Sequence, residues 1–216
     1  MNRRTPNRIA LGPLLAAICL AGAPAAAQLL PGERLTNGTF DGGTVAPWST
    51  SFLTSTLTWD GLDLDSCAGT GSGLVTHNDD AAQTVFFDQC VTPIDDQATY
   101  DFGAWIRFDQ SATTSGTAYV VVYWYGNGTG CSGAYSTDSS STIVSTAGPE
   151  QWYLSVAREV APPAGADSVR VRLLVRKGTG NPSTPLLARF DDLFFVESGP
   201  FWADGFERGS TCRWGP

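Results

Sequence analysis

Trp105 and Arg107 lie two residues apart in a stretch where Tyr100, Phe102, Ala104, Ile106 and Phe108 alternate with Asp101, Gly103, Trp105 and Arg107. In a strand of period two the second set shares one face, so an indole ring stands beside a guanidinium. That pair could bind a sugar: the C–H face of a pyranose stacks on an aromatic ring while Arg, Asn, Gln or Asp takes its hydroxyls. Tyr123 and Tyr125 repeat the pattern, sharing a face with Tyr119 opposite Val120, Val122 and Trp124. The sequence leaves open which face of that strand is inner. Trp48 and Trp152 read as packing residues.

Covalent and acid–base chemistry find less support. Gly69-Thr70-Gly71-Ser72-Gly73 misses the register of Gly-x-Ser-x-Gly. The one histidine, His77, sits with Thr76, Asn78 and Asp79 in an expected turn and reads as an exposed loop residue. No local sequence selects a pair from the 21 acidic residues for glycoside hydrolysis, so the chain is read as a non-enzyme. Asp60, Asp63 and Asp65 lack the ligand order and glycine of an EF-hand and read as a solvated loop. Asn37-Gly-Thr and Asn127-Gly-Thr fit the glycosylation acceptor pattern, a short motif of little weight beside a bacterial-looking export signal.

The first 27 residues predict export. Arg3, Arg4 and Arg8 precede an apolar run from Ile9 to Ala23, and Ala25-Ala26-Ala27 supplies the small residues for cleavage near Ala27. Gly12, Pro13 and Gly22 interrupt that run, which is shorter than the roughly 20 apolar residues that span a bilayer. Ile18 precedes Cys19 where lipidation needs a small residue, and Thr5-Pro6-Asn7 follows the Arg pair, so the general secretory route is expected over lipid anchoring or twin-arginine export. The product, residues 28–216, is secreted to an extracellular, periplasmic or cell-surface location. It has 10 basic residues against 21 acidic, a formal charge of −11. Such a surface repels nucleic acid and anionic lipid, so a neutral glycan or a cation is the compatible partner.

Four cysteines remain after cleavage: Cys67, Cys90, Cys131 and Cys212. An even count in an exported chain reads as two disulfides with three connectivities open. A hairpin turning near residues 78–81 would bring Cys67 opposite Cys90. No Cys-x-x-Cys pair exists, which excludes the usual zinc spacings.

Strand patterns fill the chain after Pro31: Ser51 to Trp59, Gly73 to Thr76, Gln83 to Val91, Tyr100 to Phe108, Tyr119 to Tyr125 and Phe190 to Val196. Trp152, Leu154 and Val156 alternate with Gln151, Tyr153 and Ser155. Val169, Val171, Leu173 and Val175 alternate with Arg170, Arg172 and Arg176, an explicit charged face. Ser136 to Glu150 reads as a long surface loop. Strands without helical period, separated by Gly, Pro, Asn and Ser, predict an all-β antiparallel sandwich over residues 28–198, followed by a short tail at 199–216.

Asn37-Gly38-Thr39-Phe40-Asp41, Gln89-Cys90-Val91 with Tyr100 and Trp105, Trp152 before Ala161-Pro162-Pro163-Ala164-Gly165-Ala166, and Phe190-Asp191-Asp192-Leu193 occur in an order that resembles the galactose-binding-like jelly rolls. These include carbohydrate-binding modules of families four, nine and twenty-two. The resemblance covers roughly residues 33–197 and implies that Leu35–Asp41 and Phe190–Phe195 are the first and last strands. It implies a disulfide between Cys90 and Cys131, leaving Cys67 with Cys212. It also implies a structural calcium ion held by Asp41 and Asp191 with backbone carbonyls, since Ca²⁺ takes six to eight oxygens. Asp41 stands where the related modules more often have the longer Glu. The function so implied is a secreted, non-catalytic carbohydrate-binding module; the alternative is a structural or adhesive cell-surface domain that binds protein. The tail Asp204-Gly205-Phe206-Glu207 resembles a recurrent segment of exported bacterial proteins.

Overall fold

The computed structural model describes residues 32–50, 54–66, 69–78, 84–109, 115–126, 128, 130–178 and 184–199. Cys67, Cys212, the export segment and the tail beyond Gly199 lie outside the described residues. The strands are β1 (Thr56–Asp60), β2 (Ser72–His77), β3 (Thr84–Val91), β4 (Tyr100–Phe108), β5 (Gly116–Gly126), β6 (Thr137–Ser140), β7 (Val144–Ser145), β8 (Trp152–Val160), β9 (Ala166–Lys177) and β10 (Leu186–Glu197). They form two sheets, ordered β1-β2-β10-β4-β8 and β3-β9-β5-β6, with β7 paired to β5. Every pairing is antiparallel, and β2, β3, β4 and β5 alternate between the sheets, giving the expected sandwich.

The period-two patterns decide which side chains meet between the sheets. Phe102, Ala104 and Ile106 of β4, Val120, Val122 and Trp124 of β5, and Val169, Val171, Leu173 and Val175 of β9 are fully buried. Tyr100 stacks on Phe195 at 4.8 Å, and the Trp124 ring lies 6.0 Å from Phe195, joining β4, β5 and β10 across the core. Each such side chain contributes about 1.5–3 kcal/mol through burial. Because Val122 and Trp124 face inward, Tyr119, Tyr123 and Tyr125 lie on the outer face.

Four expectations are corrected. Leu35–Asp41 is not a strand: residues 36–39 bend, and Asn37 and Phe40 have φ of 56° and 54°, which interrupts extended backbone. The segment still touches the last strand, since Arg34 N–H donates to Phe195 O at 3.2 Å and Leu193 N–H to Gly38 O at 3.0 Å. His77 is not an exposed loop residue; it ends β2 opposite Leu186 and is fully buried. Ser136 to Glu150 is not all loop, because β6 and β7 pair with β5 there. Their short polar sequences gave little strand signal, yet such strands suit a sheet edge.

The fourth correction concerns the acidic loop, whose carboxylates are not simply solvated. Asp63 is buried, accepting the Ser66 N–H at 2.5 Å and the Thr70 hydroxyl, while Asp60 pairs with Arg189 at 3.3 Å. In β8 the alternation holds, but Trp152, Leu154 and Val156 face outward opposite Arg107, Trp105 and Gly103. Ser155 is the inward residue, satisfied by the Ser141 hydroxyl at 2.6 Å and the Thr142 carbonyl at 2.5 Å.

Candidate functional site

The four candidate ligand-binding side chains divide between opposite faces of the molecule. Trp105 and Arg107 project from the outer face of the β1-β2-β10-β4-β8 sheet. There Trp105 lies between Asp191 and Leu154, and Arg107 between Arg189 and Trp152. Trp105 is half-buried, and Arg107 is committed: its Nη1 donates to Glu150 O at 2.9 Å, and Nε lies 3.6 Å from Asp109. Arg189 joins the same patch through Asp60 and Asp109. This face is occupied by its own ion pairs.

Tyr123 and Tyr125 belong to the outer face of the other sheet. Cross-strand register places Asp88, Arg172, Val121 and Ser140 in one row, and Cys90, Arg170, Tyr123 and Asp138 in the next. Phe86, Leu174 and Tyr119 form the row on the other side of Arg172. The Arg172 guanidinium lies 3.6 Å from the Phe86 ring centroid and 4.7 Å from that of Tyr123, and it donates to Asp88 Oδ2 at 3.0 Å. Burial raises the Tyr123 hydroxyl above its ordinary range, opposed by the Arg172 charge. Tyr135 packs edge-on against Tyr123 at 4.6 Å and is 48% exposed. Tyr125, by contrast, is only 3% exposed beneath Tyr135 and Arg170, so its ring is not offered to a ligand.

A cavity of about 340 Å³ opens on this face, lined by Ser49, Thr50, Phe86, Asp88, Arg170 and Arg172. Its outer wall exists because Ser49 exchanges backbone hydrogen bonds with Asp88, at 3.2 and 2.8 Å, at the free edge of β3. In the next row a disulfide joins Cys90 to Cys131, with Cα atoms 5.9 Å apart. These cysteines come from β3 and the loop after β5, strands separated by β9, so two strand spacings of about 4.8 Å lie between them. The loop must therefore fold back over β9, and Arg170 Nη2 donates to Cys131 O from beneath it. The disulfide implied by the resemblance is present, and its loop supplies the carbonyl that Arg170 donates to.

A larger cavity of about 400 Å³ lies by β7 and β8, lined by Thr142, Ile143, Val144, Ser145, Ala147, Gly148, Tyr153 and Leu154. It has no charged side chain. Two arginines, the Asp88 carboxylate and the Phe86 ring line the smaller one, which therefore has the mixture that fixes a polar ligand.

Of the two residues expected to hold calcium, Asp191 lies within reach of the charge of Asp41. Asp191 is 4% exposed, accepts Leu64 N–H at 2.9 Å through Oδ2 and Asp192 N–H at 2.7 Å through Oδ1. Burial pushes its carboxyl well above the ordinary range; Leu64 N–H opposes this, and the charges of Asp63, Asp41 and Asp65 add to it. Among the described residues no three His, Cys, Asp or Glu side chains converge as a ready ligand set. Carboxylate oxygens are the hard donors that Ca²⁺ takes, but two carboxylates alone fall short of its six to eight oxygens.

The sequence reading missed Phe86, Asp88, Tyr135, Arg170 and Arg172 as partners of Tyr123. The alternating arginines of β9 were the available signal. Their neighbours are set by register with β3 and β5, strands distant from β9 in sequence, for which no local pattern exists.

No protein-family profile matches this sequence, and no curated protein sequence matches it. Solved structures do match. A family 61 carbohydrate-binding module, TmCBM61, solved with β-1,4-galactotriose, superposes with a TM-score of 0.52 at 16% identity, covering 77% of this chain and 99% of that one. A xylan-binding domain of family 22 gives 0.51 at 18% identity over 79% of this chain and 98% of that one. The active domain of bacteriophage CBA120 tailspike protein 4 gives 0.55 at 12% identity, but the match spans only 22% of it. At such identities the likeness is one of fold. The chain has the antiparallel β-sandwich fold of the carbohydrate-binding modules.

Proposed function

We propose that this protein is a secreted, non-catalytic module that binds carbohydrate on the outer face of the β3-β9-β5-β6 sheet. The observation that carries this reading is an open cavity lined by Phe86, Asp88, Arg170 and Arg172, with Tyr123 packed behind Arg172 and Tyr135 beside Tyr123. The exposed Tyr135 ring, charged hydrogen-bonding groups and a concave floor together suit sugar recognition. The neighbours solved with galactotriose or named as xylan-binding have the same fold and support a glycan over a protein partner. The Cys90–Cys131 disulfide agrees with an oxidising destination. No helix among the described residues is long and apolar enough to cross a membrane.

Calcium forms the second part of the proposal: Asp41 and Asp191 would hold one ion near the entry to the sandwich, away from the glycan face. When bound, it would neutralise carboxylates that otherwise repel one another.

A glycan array probed with the mature protein tests the main reading. Binding to at least one glycan class, weakened tenfold or more by Tyr123→Ala and unchanged by Trp105→Ala, is expected. Loss on Trp105→Ala alone would move the site to the other face, and binding to no glycan would leave the adhesive-domain alternative.

A further inference from the structure

The arginines of β9 point to an acidic ligand. Arg170, Arg172 and Arg176 stand on one outer face, with about 7 Å between the first two. Arg172 lies against both Phe86 and Tyr123, so a neutral pyranose cannot stack on those covered ring faces without displacing it. The polar side chains lining the cavity here are Arg170, Arg172 and Asp88 with Ser49 and Thr50.

The ion pairing is uneven. Arg172 is matched by Asp88. Arg170 donates only to the uncharged Cys131 carbonyl and rests on Tyr125, and Arg176 is exposed; neither has a carboxylate partner among the described residues. Arg172 Nε is also buried without an acceptor in the protein. The carboxylates on this face are Asp88 and, opposite Tyr123, Asp138, while Asp167 is spent on Gly128 N–H and the Ser168 hydroxyl. The cavity's own lining thus holds two arginines against one carboxylate, Asp88, a local cationic excess on a strongly acidic chain. Within a Debye length of about 8 Å this excess outweighs the distant negative charge.

We infer that the cavity between Ser49-Thr50 and β9 binds the carboxylate of a uronic-acid-containing glycan, with Arg170 as its principal donor and Arg172 alongside. The planar guanidinium fork matches a planar carboxylate through two parallel hydrogen bonds. Arg170 is pre-positioned by the disulfide-anchored loop, which lowers the ordering cost of binding. This inference rests on the carbohydrate-binding reading and specifies its ligand class.

The test is affinity electrophoresis of the mature protein in gels holding polygalacturonate, its fully methyl-esterified form, neutral xylan or dextran sulfate, at matched ionic strength. Retardation by polygalacturonate at least tenfold stronger than by the ester is expected. Arg170→Ala should abolish that difference and Arg170→Lys should not restore it, with circular dichroism and melting temperature showing that both variants fold. The ester comparison stands independently of any variant. Equal or tighter binding of the ester or xylan overturns the acidic specificity and leaves the carbohydrate reading intact. Equal retardation by dextran sulfate reduces the face to unspecific charge and also overturns it. No retardation in any gel sinks both.

Discussion

The Leu193 amide donates to the Gly38 carbonyl at 3.0 Å, fastening the bent segment at residues 36–40 to the last strand where β10 bulges between Asp191 and Phe194. Asp192, in that bulge, has a φ of 51°. The contact is close enough that a Cβ on Gly38 would overlap the Leu193 carbonyl oxygen. Gly38→Ala is therefore expected to destabilise the protein by about 2 kcal/mol, within the 1–3 kcal/mol typical of overpacking. Gly42→Ala, where an added Cβ meets only Thr44 Cγ2 at 3.8 Å, should be near neutral. Urea unfolding of the two variants checks this, and equal stabilities would refute it.

The Cys90–Cys131 bridge closes a loop with a sequence separation of 41. Loop-closure entropy gives about 4 kcal/mol for that length. Cys131→Ser should lose much of this in a melting experiment and also weaken glycan binding, because the loop carrying the Arg170 acceptor is released. A variant that melts lower yet binds with unchanged affinity would show that the loop plays no part in the site.

Calcium should raise the melting temperature of the chelated protein by several degrees. A concentration a hundredfold above Kd corresponds to about 2.7 kcal/mol. Asp191→Asn and Asp41→Asn should each remove most of the rise while leaving glycan binding in place. An unchanged melting temperature between chelator and millimolar calcium would end the calcium proposal.

Asp60 supplies a pH dependence. Burial alone would raise its carboxyl, but the Arg189 hydrogen bond, the Leu62 N–H and the Arg189 charge outweigh that and hold it below the ordinary value of 3.8. A depressed folded-state value stabilises the protein above the unfolded one, and the contribution is lost as pH falls through the folded one. Asp60→Asn should cost about 0.5–1 kcal/mol at pH 7, the range for a partly exposed pair. The variant and native stability curves should converge as the pH falls below 3.8. Parallel curves down to acid would show that the pair contributes nothing.

The alternations in β4 and β9 and the Val/Tyr/Trp run in β5 were legible because period two needs only neighbouring residues, and those strands appear where the pattern places them. The bent entry segment, buried His77 and the paired strands β6 and β7 were not, since each depends on a partner distant in sequence. Trp105 and Tyr123 looked equivalent as exposed aromatics beside polar residues.

By itself, then, the sequence determined the strand periods, the all-β class, the acidic surface and the arginine face of β9. Only the tertiary structure decided which rings those arginines meet, that Trp105 and Tyr123 lie on opposite faces, and that Arg170 is held beneath a disulfide-anchored loop. The physical reason is register. A strand's own alternation selects which side chains share a face, but hydrogen bonding to strands far along the chain selects which faces, charges and rings become neighbours.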